Sequence, residues 1–151
     1  WKQVPYPDGQ EAYANSQLYT DWLLQQIYNY GKDKLNLQAM VYFSDHGESL
    51  DKSHNPDTFD FVMTHIPFWV YLSPQYRSTY PQTAEVLAKH EHQFFTNDLL
   101  YDTLVGLMHA PSQRYDTTRD FSNAQYRFNL HNLTTLLGDQ PLANDPVNAG
   151  K

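Results

Sequence analysis

The sequence contains no cysteine, which excludes disulfide bonds and thiolate chemistry of any kind. This absence leaves the redox compartment open. Basic residues are also scarce, because 10 Lys and Arg stand against 17 Asp and Glu, and the net charge of −7 argues against a nucleic-acid-binding surface. There is no apolar run long enough to span a membrane, and no repeat or low-complexity tract. The chain starts at Trp1 with neither an initiator methionine nor a signal peptide, so we expect it to be a piece of a longer protein.

The hydrophobic pattern of the 151 residues predicts one domain of the α/β class. Apolar residues at helical spacing predict helices over residues 11–30, 82–91 and 97–108, and Gly31 is a candidate cap for the first. Two short apolar runs rich in aromatic residues predict strands over residues 37–43 and 66–72. The first run has no polar alternation, which is typical of a strand buried on both faces of a mostly parallel sheet. The segment 138–151 holds Pro, Asn and Gly and is expected to be a loose tail.

A cluster of polar residues follows the first predicted strand directly, in the sequence SDHGE at residues 44–48. Catalytic and ligand-binding groups of α/β sheets lie at this edge. Gly47 permits a sharp turn, so that Asp45 and His46 can converge on one point. A carboxylate oxygen beside an imidazole nitrogen suits a divalent metal, zinc first and manganese second. The spacing alone leaves open a plain turn, in which Asp45 caps backbone N–H groups and His46 is merely polar.

The segment YFSDHGESL, residues 42–50, resembles the metal-binding signature of the sulfatase-like branch of the alkaline phosphatase superfamily. The resemblance is strongest to bacterial phosphoethanolamine transferases that modify lipopolysaccharide. Three more segments resemble that family in the same order: a helix at residues 15–21, a strand at 65–73 and a helix at 97–104. The resemblance covers residues 12–110. It implies that residues 1–137 are the C-terminal part of a catalytic domain with an alkaline-phosphatase-like α/β/α sandwich, followed by the tail.

Enzymes of this family transfer phosphoethanolamine from phosphatidylethanolamine to a threonine, and from there to a lipopolysaccharide or other glycan acceptor. Thr20, Thr58 and Thr64 do not match the context of that nucleophile. The resemblance therefore implies that the threonine and a further metal-binding acid lie upstream of Trp1, and that this chain alone is inactive. It also implies N-terminal transmembrane helices upstream, with this part in the periplasm. A sulfatase- or phosphatase-type hydrolase and a catalytically dead module remain alternatives.

The resemblance carries over to three residues of this chain, Asp45, His46 and His54, and the position of Glu48 directly after Gly47 suggests a fourth. Asp45 and His46 match the metal ligands. His54 matches a histidine that helps to hold metal or substrate phosphate, and its alternative is an exposed loop histidine. Glu48 is expected to orient His46, or else to be an exposed loop acid. We interpret His65, just before the second predicted strand, as structural.

Overall fold

The computed structural model describes residues 9–51, 56–135 and 138–150. Its helices and strands follow one another in the order α1 (Gly9–Leu35), β1 (Ala39–Phe43), β2 (Phe68–Leu72), α2 (Pro74–Thr79), α3 (Pro81–Lys89) and α4 (Leu100–Leu107). Among the described residues, two short 3₁₀ turns lie in the connection between the strands, a third, Asn97–Leu99, leads into α4, and two more lie near the C-terminus. The alternation of helices and strands confirms the predicted α/β class.

Strands β1 and β2 pair in the antiparallel direction, with Val41 opposite Val70 and Phe43 opposite Phe68. The mostly parallel sheet expected from the sequence is wrong for this pair. A parallel pair needs a crossover, usually a helix, whereas the connection between these strands contains only loop and 3₁₀ turns in its described part. β1 is also only half-buried, and Phe43 at its end is 37% exposed, so the expectation of burial on both faces is wrong in this structure.

The two faces of this sheet pack against different helices. On one face, Tyr71 of β2 meets Tyr28 of α1 edge to face, with ring centroids 4.9 Å apart. Side chains alternate along a strand, so Leu72 points to the other face. There it joins Tyr76 of α2 and Leu107 of α4 in a buried apolar cluster. The helices therefore cover both faces, which gives the α/β/α layering expected for the fold.

Helix α1 continues past Gly31, which the sequence analysis had placed at its end. Asn36 ends the helix instead, in a left-handed conformation with φ of 51° that asparagine tolerates well. The N–H of Leu37 then donates to the carbonyl oxygen of Gly31, 3.0 Å away. The Leu37 side chain packs over the same glycine. Gly31 thus serves as a close-packing position inside the helix, and this packing offsets its low helix propensity.

The C-terminal residues 138–150 contain two 3₁₀ turns, Leu142–Asn144 and Pro146–Asn148. Asp145 and Asn148 are buried there, and the side chain of Asp145 accepts a hydrogen bond from the N–H of Val147 at the start of the second turn. This segment therefore packs against the domain in the structure. The division of the chain at residue 138 stays a prediction.

Candidate metal and substrate site

The loop after β1 directs Asp45 and His46 into one open cleft of about 900 Å³. The side chain of Asp45 is 88% exposed and that of His46 is 50% exposed. Oδ2 of Asp45 lies 4.0 Å from Nε2 of His46. The sequence predicts that the two side chains face the same cleft, and both line it in the structure. Their role as metal ligands stays a prediction.

A hydrogen bond to the backbone holds the ring of His46. Its Nδ1 lies 2.7 Å from the carbonyl oxygen of Gly47. A carbonyl can only accept, so Nδ1 is the donor of this hydrogen bond. Histidine ligands in metalloproteins usually donate their second N–H in this way, which fixes both the tautomer and the ring plane. The other ring nitrogen, Nε2, is the one nearer to Asp45.

The donor pair fits part of a zinc site. Tetrahedral zinc holds nitrogen and oxygen ligands at about 2.0 to 2.2 Å, which places two donors about 3.4 Å apart. A small rotation of the exposed Asp45 side chain would close the separation from 4.0 Å. Structural and catalytic zinc sites use three or four protein ligands. Within the described residues, no group of three His, Cys, Asp or Glu side chains is placed to hold a metal ion.

Gly47 lets this loop pass close to the segment before β2. Its N–H donates to the carbonyl oxygen of Met63, 2.7 Å away. A Cβ at this position would lie 2.5 Å from the carbonyl oxygens of both Val62 and His65. These are backbone atoms and cannot rotate away. Only glycine therefore permits the loop to lie against residues 62–65, and this contact fixes where His46 leaves the backbone.

A second anchor comes from the start of the last helical region. The side-chain amide of Asn97 donates to the backbone carbonyl oxygens of both Ser44 and Asp45, each 3.0 Å away. Sequence reasoning assigned Asn97 only to the helix it begins. The sequence signal for Asn97 was its place in the segment 97–104 that resembles a family helix. That resemblance does not predict a contact between Asn97 and the loop after β1.

His65 contributes a third polar group to the cleft. Its Nε2 lies 2.6 Å from Oδ2 of Asp145, whose side chain is only 6% exposed, while the His65 side chain is 45% exposed. Both residues line the cleft that Asp45 and His46 also line. From the sequence, His65 was interpreted as structural. Its partner Asp145 lies 80 residues further along the chain. No local pattern could have predicted this pair.

The roles of two further predicted site residues, His54 and Glu48, stay predictions. His54 lies outside the described residues, so its predicted contact with metal or phosphate stays a prediction. Glu48 is half-buried. Because the Gly47 carbonyl accepts from Nδ1 of His46, this bond already fixes the ring, and the part of Glu48 in orienting His46 likewise stays a prediction.

The fold and this loop define an α/β domain that presents a carboxylate and an imidazole beyond the end of a strand. The Sulfatase family model matches residues 8–110, about two thirds of the chain. The chain belongs to the Sulfatase family. No helix within the described part of the chain is both long and apolar enough to cross a membrane.

Similar proteins point to one branch of this family. The chain is 30% identical over 123 residues to phosphoethanolamine transferase EptA of Salmonella typhimurium, covering 72% of this chain and 22% of that protein. It is 28% identical over 122 residues to EptA of Escherichia coli K12, with the same coverage. The chain thus spans about a fifth of the length of these curated relatives. The resemblance to phosphoethanolamine transferases is therefore confirmed.

A solved structure supports the fold. The C-terminal periplasmic domain of phosphoethanolamine transferase EptC from Campylobacter jejuni matches with a TM-score of 0.65 and 24% sequence identity. The match covers 83% of this chain and 45% of that one. At this identity the likeness shows the fold alone, and it confirms the predicted alkaline-phosphatase-like architecture.

Proposed function

We propose that this chain is the C-terminal part of the catalytic domain of a zinc-dependent phosphoethanolamine transferase. One observation carries the proposal: Asp45 and His46 leave β1 together and face one cleft, and Nε2 of His46 lies 4.0 Å from the Asp45 carboxylate. Membership in the Sulfatase family and the names of the relatives support the reaction class. Manganese is the second choice of metal.

In this proposal Asp45 and His46 provide an oxygen and a nitrogen ligand. A zinc ion bound there would neutralise charge on a phosphoryl group and lower the pKa of a nearby hydroxyl. The remaining ligand and the threonine nucleophile come from a preceding part of the full-length protein. His54 contacts the substrate phosphate, and Glu48 supports the ring of His46. Phosphoryl transfer depends mainly on positioning and charge neutralisation, which these residues can supply without covalent chemistry of their own.

The donor in this proposal is phosphatidylethanolamine, and the acceptor is lipopolysaccharide or another glycan. Both are lipid-anchored in bacteria that carry them. The protein would therefore sit in the inner membrane through transmembrane helices preceding this chain, with the cleft in the periplasm. The periplasmic origin of the matched EptC domain supports this placement.

Substitution of Asp45 in the full-length protein tests the proposal. Asp45→Asn removes the charge of the ligand while keeping its size, so zinc content and phosphoethanolamine transfer should both fall to background. Zinc is measured by mass spectrometry of the purified protein, and transfer by labelled phosphatidylethanolamine. Asp33→Asn is the matched control, because Asp33 is an exposed carboxylate on α1. A variant Asp45→Asn that keeps its zinc would contradict the assignment.

The same assay separates the alternatives. A sulfatase- or phosphatase-type hydrolase would pass the group to water, so free product would form without an acceptor. A catalytically dead module would show neither zinc nor turnover in the wild-type full-length protein. The isolated chain of 151 residues is expected to be inactive in every case, because it supplies two ligands and no nucleophile. Turnover by the isolated chain would show that the nucleophile lies within it.

A further inference from the structure

The pair of His65 and Asp145 has the geometry of an oriented acid–base group. The separation of 2.6 Å between His65 Nε2 and Asp145 Oδ2 is that of a strong, charge-assisted hydrogen bond. Asp145 is buried, while almost half of the His65 side chain is exposed at the cleft. A buried carboxylate that accepts from one nitrogen of a half-exposed imidazole fixes the orientation of the ring. This arrangement leaves Nδ1 as the nitrogen available for chemistry.

The surroundings hold both partners in place. The second oxygen of Asp145, Oδ1, accepts from the backbone N–H of Val147, 3.0 Å away, so its carboxylate is held from two sides. The backbone of His65 lies against Gly47, since a Cβ at Gly47 would lie 2.5 Å from the carbonyl oxygen of His65. The N–H of His65 donates to the carbonyl oxygen of Val62, which lies against Gly47 as well. His65 is therefore built into the same loop contact that positions His46. An imidazole serving only to stabilise the tail would need no exposure to the cleft.

We propose that His65 is a catalytic acid–base residue for the lipid and acceptor oxygens of the transfer reaction. The inference rests on the proposed function. It adds a residue that neither the sequence motif nor the metal assignment includes. Asp145 acts through His65 and is a positioning residue.

The proton and the bonds balance over the two half-reactions. The threonine starts the cycle as its alkoxide and is returned as its alkoxide, so its own hydroxyl proton takes no part in the exchange. In the first half-reaction, its oxygen bonds to phosphorus and the bond between phosphorus and the lipid oxygen breaks. The electron pair stays on the lipid oxygen, which takes the proton from Nδ1 of His65, and diacylglycerol leaves as an alcohol. In the second, the acceptor hydroxyl returns a proton to Nδ1 as its oxygen bonds to phosphorus, and the threonine oxygen is released.

A comparison of two donors in the full-length protein tests this role. The glutamine side chain in His65→Gln keeps an N–H that can donate to Asp145. It has no nitrogen that can release and take back a proton near neutral pH. Intact mass spectrometry measures how fast the phosphoethanolamine adduct forms on the protein. With phosphatidylethanolamine as the donor, the rate of adduct formation should fall about 100-fold or more. With the 4-nitrophenyl diester of phosphoethanolamine, adduct formation should stay within about twofold of wild type, because nitrophenolate leaves without a proton. Asp145→Asn should show the same donor dependence with a smaller loss.

The outcomes separate this inference from the proposed function. Equal loss with both donors would mean that His65 only shapes the cleft, and no loss with either would mean that it plays no part. Both results overturn the inference while leaving the transferase proposal standing. A wild-type protein that forms no adduct from either donor overturns the proposed function and this inference with it. His131→Gln is the control, since His131 is exposed and does not line the cleft, and it should match wild type with both donors.

Discussion

The side-chain amide nitrogen of Asn97 lies 3.0 Å from the backbone carbonyl oxygen of Asp45 and donates a hydrogen bond to it. The same nitrogen donates to the carbonyl oxygen of Ser44. One amide therefore holds two successive peptide groups at the end of β1, across 52 residues of sequence. The loop that carries the two candidate ligands is thus fixed from outside as well as by its own turn.

Removing this amide should loosen the loop. Asn97→Ala deletes both hydrogen bonds and leaves two carbonyl oxygens to find other partners, at a cost of about 1 to 3 kcal/mol in the free energy of unfolding. Zinc affinity of the full-length protein should fall as well, because the two ligands lose their common support. Calorimetry and zinc titration measure the two effects. Gln75→Ala, at an exposed position of α2, is the control. Unchanged zinc affinity in Asn97→Ala would contradict the positioning role.

A methyl group at Gly47 should disrupt the site. Gly47→Ala places a Cβ 2.5 Å from two backbone carbonyl oxygens, so the loop must move away from residues 62–65. Overpacking of this kind costs about 1 to 3 kcal/mol or more. The displaced loop should lose zinc even where the protein still folds. Thermal unfolding and zinc content of the purified variant check both points.

Gly31→Ala supplies the matched comparison. A Cβ there would meet only the side chain of Leu37, at 3.2 Å, which can shift slightly. Alanine also favours the helix by about 1 kcal/mol over glycine. Gly31→Ala should therefore leave stability near that of wild type and zinc content unchanged. Equal damage from the two substitutions would refute the claim that Gly47 is required by close backbone approach.

Stability should decline in alkaline solution, in part through Tyr76. Burial, helped by the nearby Tyr80 hydroxyl, raises the pKa of Tyr76 from its ordinary value of 10.0 to about 12. Above pH 10 the unfolded chain releases this proton while the folded chain retains it, so the stability that the raised pKa provides is present below pH 10. That stability is lost as the pH rises toward 12, with a slope of up to about 1.4 kcal/mol per pH unit for one such group. Urea unfolding at a series of pH values measures this decline.

The variant Tyr76→Phe isolates this contribution. It removes the hydroxyl that donates to the carbonyl oxygen of Leu107, which should cost about 1 kcal/mol at neutral pH. Above pH 10 its stability should fall less steeply than that of wild type. Tyr115, whose pKa burial also raises to about 12, accounts for part of the remaining slope. An identical slope in wild type and Tyr76→Phe would contradict the assignment, and Tyr13→Phe on the exposed surface of α1 is the control.

The isolated chain should self-associate through α1. Leu23 is 40% exposed and Ile27 is 49% exposed, and their spacing of four residues places them on one helical face. The mass of the wild-type chain measured by light scattering should rise with concentration. Replacing both residues by glutamine should keep this mass nearer to that of the monomer over the same concentration series, whereas Gln26→Ala should behave like wild type. A wild-type chain that remains monomeric throughout that concentration series would refute this prediction.

The sequence predicted the kinds of elements well, because these depend on local patterns. The apolar run before Ser44 forms β1, and the run after Pro67 forms β2, which begins two residues later than predicted because proline has no N–H for the sheet. The short helix α2 was not predicted. It is only six residues long and is capped by the Ser73 side chain, which accepts from the N–H of Tyr76, and such a segment gives too few periodic positions to be recognised.

The sequence by itself determined the α/β class, the order of the family segments and the place where Asp45 and His46 leave a strand, since each follows from residues close together in the chain. The tertiary structure alone decided that the two strands run antiparallel and that Asn97 clamps the loop. It alone brought Asp145 to His65 and gave the cleft an oriented imidazole. These features join residues tens of positions apart, and the energies that select them come from packing and hydrogen bonds that no local window of sequence contains.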